Sequence, residues 1–325
     1  MLINRKSIKF IPLILLTLGA CQNNNDRALE EVALNSSWQH FETAFFSLKP
    51  ENIEQKLSDL KKEYPPFFRE QTDLAFWEKQ RRDSLQQALY EISQKVFNQW
   101  PEREARLNRA MKRYYFHFGK RDTLEFYTYI SALDFNYPTL YAKPFCFSAL
   151  DLYLGPDQAF YQAMPRYLRY NRQPKFLLPD AISAIVEGQS PPPVENAHLL
   201  DAMIYHGKIL FVTHQLLPEL PLHDLLKYPE EKMAFAREHE REMWLYFIEN
   251  QLLFKRSENL KARFINLAPF SKFRTHLDKE TPGRIGIWYG YLLVKNYFEN
   301  AEPSLPELLA EKNSRKILNQ AGYKP

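Results

Sequence analysis

The N-terminal segment ends in a cysteine, and this limits how the rest of the chain can be stabilised. Residues 1–20 begin with three basic side chains, continue with an apolar run over 10–18 and end in Leu18-Gly19-Ala20, directly before Cys21. Basic, apolar and then small residues are the pattern of a secretory signal, and the run is shorter than the roughly 20 residues that span a bilayer. The Leu-Gly-Ala-Cys ending is typical of a lipobox. We therefore predict that residues 1–20 are removed as a signal peptide and that Cys21 carries lipid.

Once Cys21 is lipidated, Cys146 is the only other cysteine of the chain. A lone thiol cannot form an internal disulfide, so the exported part must be stabilised by a hydrophobic core. The hydrophobic content of 45% is sufficient for such a core. Cys146 stands in the apolar run Phe145-Cys146-Phe147, so we predict that it is a small buried hydrophobic residue.

The residues after the cysteine predict an anchored domain. We predict that residues 21–27 form the lipidated cysteine and a polar tether, and that residues 28–325 form a single globular domain. No Asp follows Cys21 directly, which favours the periplasmic face of the outer membrane over the inner membrane. Removal of residues 1–20 takes away three positive charges and lowers the net charge from +4 to +1. No basic stripe is left for nucleic acid, so we expect no nucleic-acid partner.

Apolar periodicity predicts a predominantly helical α+β fold. Helical spacing of apolar residues recurs over 28–60, 73–118, 197–217, 230–254, 258–267, 283–299 and 304–319. Runs rich in β-forming residues, at 124–130 and 145–154, predict a small sheet within residues 123–155. The chain lacks G-x-G-x-x-G and G-x-x-x-x-G-K loops, and we predict no cofactor.

Three glycines share one face of the helix predicted over 283–299. Gly283, Gly286 and Gly290 recur at intervals of three and four residues. Because Gly in a helix interior costs about 1 kcal/mol relative to Ala, we expect them to serve the close approach of a neighbouring backbone.

Histidines on two predicted helices are candidate metal ligands. A zinc peptidase helix needs H-E-x-x-H, but the His239-Glu240-Arg241-Glu242-Met243 run has Met in the second ligand position. His206 and His214 lie about 12 Å apart along one helix, too far to share a metal ion. We predict neither catalytic residues nor a metal site, although His206 with Glu238 or Glu242 from a neighbouring helix stays open as an atypical site.

A second alternative is glycan binding through aromatic side chains. Trp288, Tyr289 and Tyr291 could stack on sugars, but such a stripe is more often part of a core.

Six sequence blocks, in order along the chain, carry a resemblance to a known family. The blocks are Tyr127-Thr128-Tyr129-Ile130-Ser131-Ala132-Leu133-Asp134, Ala149-Leu150-Asp151-Leu152-Tyr153-Leu154-Gly155, Met203-Ile204-Tyr205-His206-Gly207-Lys208, Ala268-Pro269-Phe270-Ser271, Pro282-Gly283-Arg284-Ile285-Gly286-Ile287-Trp288-Tyr289-Gly290 and Tyr323-Lys324-Pro325. Together they resemble the gliding-motility lipoprotein family GldB of Bacteroidota. The resemblance extends from about Trp38 to the C-terminus, and the signal with its lipobox agrees with it.

The resemblance implies an envelope lipoprotein that is needed for cell movement over surfaces and has no established enzymatic activity. Its partners would be envelope proteins of the gliding machinery, with the membrane contacted through the lipid anchor. The family is also distantly similar to zinc peptidases, which implies a degenerate zincin-like scaffold. Where that group carries H-E-x-x-H, this chain has Tyr205-His206-Gly207-Lys208-Ile209. The resemblance therefore implies a degenerate cleft at the former metal site, with Tyr205, His206, Lys208, Glu238 and Glu242 as its candidate residues. Loss of the metal ligands favours binding over catalysis.

Overall fold

The computed structural model describes residues 36–70, 73–119 and 123–325. The predicted signal peptide, Cys21, the tether and residues 28–35 lie outside this part. Among the described residues, no helix combines the length and apolar character needed to cross a membrane. The helices, in chain order, are α1 (Phe41–Phe46), α2 (Ile53–Glu63), α3 (Leu74–Arg82), α4 (Ser84–Val96), α5 (Trp100–Phe118), α6 (Arg166–Tyr170), α7 (Leu177–Glu187), α8 (Leu199–Leu216), α9 (Leu222–Leu226), α10 (Glu230–Glu238), α11 (Glu240–Glu249), α12 (Glu258–Phe264), α13 (Ile285–Ala301), α14 (Leu305–Ala310) and α15 (Ser314–Ala321).

A small mixed sheet accompanies these helices, which confirms the predominantly helical α+β fold. Its strands are β1 (Trp38–His40), β2 (Glu125–Tyr129), β3 (Thr139–Ala142) and β4 (Phe145–Ala149). The order is β1-β2-β4-β3; β2 is parallel to both β1 and β4, and β3 is antiparallel to β4. Three of the four strands lie within the predicted interval 123–155.

The first strand corrects the helix predicted over 28–60. Trp38 pairs in register with Phe126 of β2, and their ring centroids lie 5.4 Å apart in an edge-to-face arrangement. Both side chains are buried. Pairing with a strand 88 positions away along the chain therefore overrides the helical spacing at Trp38. The rest of the predicted pattern is helical as expected, with the three phenylalanines on α1 and the later apolar residues on α2.

Three further helical stretches of the sequence prediction are divided in the structure. The stretch 230–254 forms α10 and α11, which are separated at His239, and α11 ends at Glu249. The stretch 304–319 forms α14 and α15, because the Asn313 side chain accepts a hydrogen bond from the Lys316 amide and begins a new helix. The predicted stretch 73–118 is likewise divided into α3, α4 and α5, and the Asp73 and Asp83 side chains cap the first two.

Close contact between α8 and α13 organises the main core. A Cβ atom added at Gly290 would overlap the Met203 carbonyl of α8, and one added at Gly207 would overlap Gly290 itself. A Cβ at Gly286 would lie 2.9 Å from the Phe264 carbonyl oxygen. The expected role in backbone approach is thus confirmed for Gly286 and Gly290. The placement of Gly283 on the same helical face is wrong, because α13 begins at Ile285, and a Cβ at Gly283 would overlap the Ala268 carbonyl instead. Ile285, Trp288 and Tyr297 are buried around Gly286 and Gly290, and Leu292 packs against the core from its edge.

A methyl group added at Gly290 should test the close contact between α8 and α13 through its effect on stability. In an ordinary helix interior Gly→Ala stabilises by about 1 kcal/mol, but Gly290→Ala should lower the free energy of unfolding by roughly 1–3 kcal/mol, because the two backbones must separate. Denaturant unfolding of the purified protein measures the change. Glu299→Ala, at an exposed position of the same helix, is the control and should have little effect. A stabilised Gly290→Ala protein would contradict the contact.

Candidate ligand-binding cleft

A large cavity lies beside the N-terminus of α13. It has a volume of about 830 Å³ and is formed by four segments, within residues 165–171, 226–232, 267–269 and 282–284. We call this cavity the Arg284 cleft. Its walls combine tyrosine and proline side chains with basic and acidic groups. Volumes of this size are typical of ligand-binding sites.

Arg284 is held in the cleft by a rigid turn. Thr281 donates its hydroxyl hydrogen bond to the Ser271 carbonyl at 2.8 Å, and the Ile285 amide donates to the Ser271 hydroxyl at 3.0 Å. Arg284 itself has a φ of 60° and lies in the left-handed region. This conformation costs a residue other than glycine about 1–3 kcal/mol. The turn therefore enforces a costly backbone geometry at the residue that lines the cleft.

The guanidinium of Arg284 has no direct partner in the described part of the chain. It makes no hydrogen bond there and no ion pair, although Tyr228, Asp180 and Glu187 act on it electrostatically. Asp180 is already engaged, since it accepts hydrogen bonds of 2.7 Å from the Lys227 ammonium and the Tyr153 hydroxyl. Burial lowers the pKa of Arg284 because it penalises the charged form.

Arg284 also lines a second, smaller cavity of about 200 Å³ that includes His206. Ser183, Glu187 and Leu210 lie on the same cavity. Burial, and to a smaller extent the positive charge of Arg284, lower the pKa of His206 from 6.5 to about 4. The imidazole is therefore neutral near pH 7 and adds no positive charge to the site.

The other residues expected in the cleft lie in different places. Tyr205 donates a hydrogen bond of 3.1 Å to Glu187, beside the His206 cavity. Lys208 is buried and donates to the carbonyl oxygens of Leu309 and Glu311 at 2.9 and 2.8 Å, which caps α14. Burial lowers the pKa of Lys208 to about 8. Glu238 and Glu242 are exposed on α10 and α11, and neither lines the cavity that contains His206.

The structure also shows where the candidate residues for metal binding and for glycan binding lie. Among the described residues, no group of three or more His, Cys, Asp or Glu side chains is placed to hold a metal ion. Trp288, Tyr289 and Tyr291 are buried, so the glycan hypothesis loses the aromatic face on which it depended. Cys146 is also buried, as predicted, and burial raises the pKa of its thiol to about 12.

Sequence reasoning missed the residues that define the cleft. It named Gly283 and Gly286 for their helical spacing but passed over Arg284 between them, and it did not consider Tyr228. One local signal was available, since an arginine directly before a helix and directly after Pro-Gly stands where the chain turns.

The fold and the cleft define a class: a predominantly helical α+β protein with a large cleft beside a half-buried arginine that has no direct partner among the described residues. The family model of the gliding motility protein GldB matches residues 22–325, which is nearly the whole chain. The chain therefore belongs to the GldB family, as the sequence blocks indicated. No curated protein and no solved structure matches the chain. The zinc-peptidase scaffold implied by the resemblance stays a prediction.

Two tyrosines of the cleft should respond oppositely to loss of the hydroxyl group. The Tyr228 hydroxyl is buried without a hydrogen-bond partner among the described residues, whereas the Tyr170 hydroxyl donates to the Tyr228 carbonyl at 3.3 Å. Tyr228→Phe should raise the free energy of unfolding by about 1 kcal/mol, because an unsatisfied polar group is removed. Tyr170→Phe should lower it by about 1 kcal/mol. Paired denaturant titrations test both signs, and destabilisation of equal size in both variants would argue against this description.

His206 should make stability depend on pH in the acidic range. Its pKa is about 4 in the folded protein and 6.5 in the unfolded chain, so the native state binds fewer protons between these values. The contribution is complete above about pH 6.5 and is lost as the pH falls towards 4. Between pH 7 and 4.5 we expect His206 to account for roughly 1–3 kcal/mol of lost stability. His206→Gln should flatten this part of the profile, while the exposed His276→Gln should leave it unchanged.

Proposed function

We propose that this protein is a lipid-anchored component of the gliding apparatus that acts by binding an envelope protein in the Arg284 cleft. The proposal places the lipid on Cys21 and the domain at the periplasmic face of the outer membrane. Membership of a family of gliding motility proteins supports the role in movement. The observation that carries the binding role is the cleft of about 830 Å³ that contains an arginine without a direct partner.

Binding is favoured over catalysis by the chemistry of the side chains at the cleft. The cleft is lined by tyrosine, proline, arginine, lysine and glutamate residues, and no serine, cysteine or histidine is among them. The titratable group nearest to a catalytic role is His206, which lies on the smaller cavity. Neither Glu238 nor Glu242 joins it there, and Glu187, which shares that cavity, accepts its hydrogen bond from the Tyr205 hydroxyl rather than from the imidazole.

Two exposed apolar residues allow a matched test in living cells. Leu267 lines the Arg284 cleft and is 53% exposed, whereas Val194 is 78% exposed and lies outside it. A photo-crosslinking amino acid at position 267 should give discrete adducts with envelope proteins in moving cells, and the same probe at 194 should not. Leu267→Arg should abolish movement through loss of the contact, with the protein still present in the membrane fraction. Val194→Arg should move normally.

The anchor is tested in the same strains. Cys21→Ser should lose fatty-acid labelling and movement together, because the thiol is the site of lipid attachment. Normal movement of Leu267→Arg cells, or equal adducts from positions 267 and 194, would refute binding through this cleft. Fatty-acid label retained in Cys21→Ser would refute the anchor.

A further inference from the structure

We infer that the Arg284 cleft takes an extended peptide segment of its partner and that Arg284 receives a carboxylate of that segment. The inference rests on the proposed function, because it names the chemistry of the partner at the same cleft. Its support comes from three features: which cations of the cleft lack partners, how many buried charges remain free, and what the walls are made of.

Two of the four cations that line the cleft are already satisfied. Lys227 forms an ion pair of 2.7 Å with Asp180, and Lys232 donates hydrogen bonds of 2.6 and 3.0 Å to the carbonyl oxygens of Lys279 and Glu280. Arg166 and Arg284 have neither a hydrogen bond nor an ion pair within the described segments. Arg166 is exposed to solvent, whereas Arg284 is half-buried and lies between the two cavities.

The guanidinium of Arg284 indicates which chemical group of a ligand would pair with it. A desolvated charge without a hydrogen-bonded partner is costly, and proteins rarely keep one unless a ligand completes it. A carboxylate presents two oxygen atoms in the plane of the guanidinium and accepts two parallel hydrogen bonds from it. The chain retains this arrangement in a left-handed backbone conformation, although a glycine would adopt the same φ without strain.

The balance of charge favours a carboxylate over a phosphate group. Arg284 supplies one half-buried positive charge without a direct partner among the described residues, and His206 beside it is neutral near pH 7. Glu187 shares the small cavity, and the exposed Glu230 and Glu231 line the cleft. A group with two negative charges would face these carboxylates without a second buried cation, whereas a single carboxylate matches the one free charge.

The walls of the cleft suit a peptide. Tyr167 and Tyr170 present apolar ring faces with polar ends, and Pro229 and Pro269 add rigid apolar surface. Such surfaces contact both the side chains and the amide groups of an extended segment at little cost in conformational entropy. The exposed Leu267 continues this apolar wall outwards.

The test compares four fluorescent octapeptide pools that are randomised over Ala, Pro, Leu, Ser and Tyr at the remaining positions. The first has a central Asp and blocked ends, and the second has a central Asn and blocked ends. The third has a central Asn and a free carboxyl terminus, and the fourth has a central phosphoserine and blocked ends. Fluorescence anisotropy with the full-length lipoprotein in detergent micelles gives the apparent affinities. The first and third pools distinguish a side-chain carboxylate from a chain terminus.

We expect at least one carboxylate pool to bind about tenfold or more tightly than the blocked Asn pool. Arg284→Gln should abolish this preference, and Arg284→Lys, which keeps the charge but not the planar fork, should retain part of it. Arg274→Gln is the matched control, since Arg274 is also an arginine at positive φ but is exposed. Equal affinity for all pools, a preference that persists in Arg284→Gln, or tightest binding of the phosphoserine pool would overturn the carboxylate assignment.

A spectroscopic readout separates a direct contact from a structural effect. The charge of Arg284 contributes to the low pKa of His206, so a carboxylate bound at Arg284 should raise that pKa in an NMR titration. A variant that merely distorts the cleft would not produce this rise upon peptide addition. In-cell adducts at position 267 without any carboxylate preference would refute this inference alone. A carboxylate preference without such adducts would refute the proposed function alone.

Discussion

The backbone contact between Gly207 of α8 and Gly290 of α13 is the constraint on which the candidate site depends. Without side chains at these positions, the two helices approach until Gly290 meets the Met203 carbonyl. His206 directly precedes Gly207, and Arg284 precedes the first turn of α13. The same contact therefore brings the imidazole and the guanidinium to one cavity. A larger residue at either glycine would separate the helices and with them these two side chains.

The turn before α13 contains two features that lower the stability of the fold. Its hydrogen bonds through Ser271 and Thr281 hold Arg284 in a left-handed conformation. That geometry and the unpaired, desolvated charge are both unfavourable, and they occur in the same residue. Strain of this kind persists where the surrounding structure enforces it and concentrates at functional positions. Selection for stability alone would favour glycine or asparagine here.

Local sequence patterns predicted the features that depend on residues close together in the chain. The apolar periodicity located α8 and α13, and the glycine spacing predicted that α13 closely approaches a neighbouring backbone, without identifying α8 as that neighbour. The strand at Trp38 was missed because its pairing partner, Phe126, lies far away along the chain. The cleft was missed for a related reason, since four distant segments form it. That Arg284 lacks a partner depends on Asp180 being occupied by Lys227 and Tyr153, which no spacing in the sequence reveals.

Lys208 and Arg284 show how two cations at the same pair of helices acquire different roles. Lys208 is more deeply buried, yet its ammonium donates to two carbonyl oxygens at the end of α14, and its charge serves the fold. Arg284 is less buried but has no acceptor within the described residues, and it faces open space on both sides. Burial alone would rank Lys208 as the more unusual residue. Hydrogen-bond satisfaction reverses that order, because a satisfied cation needs no ligand and an unsatisfied one does.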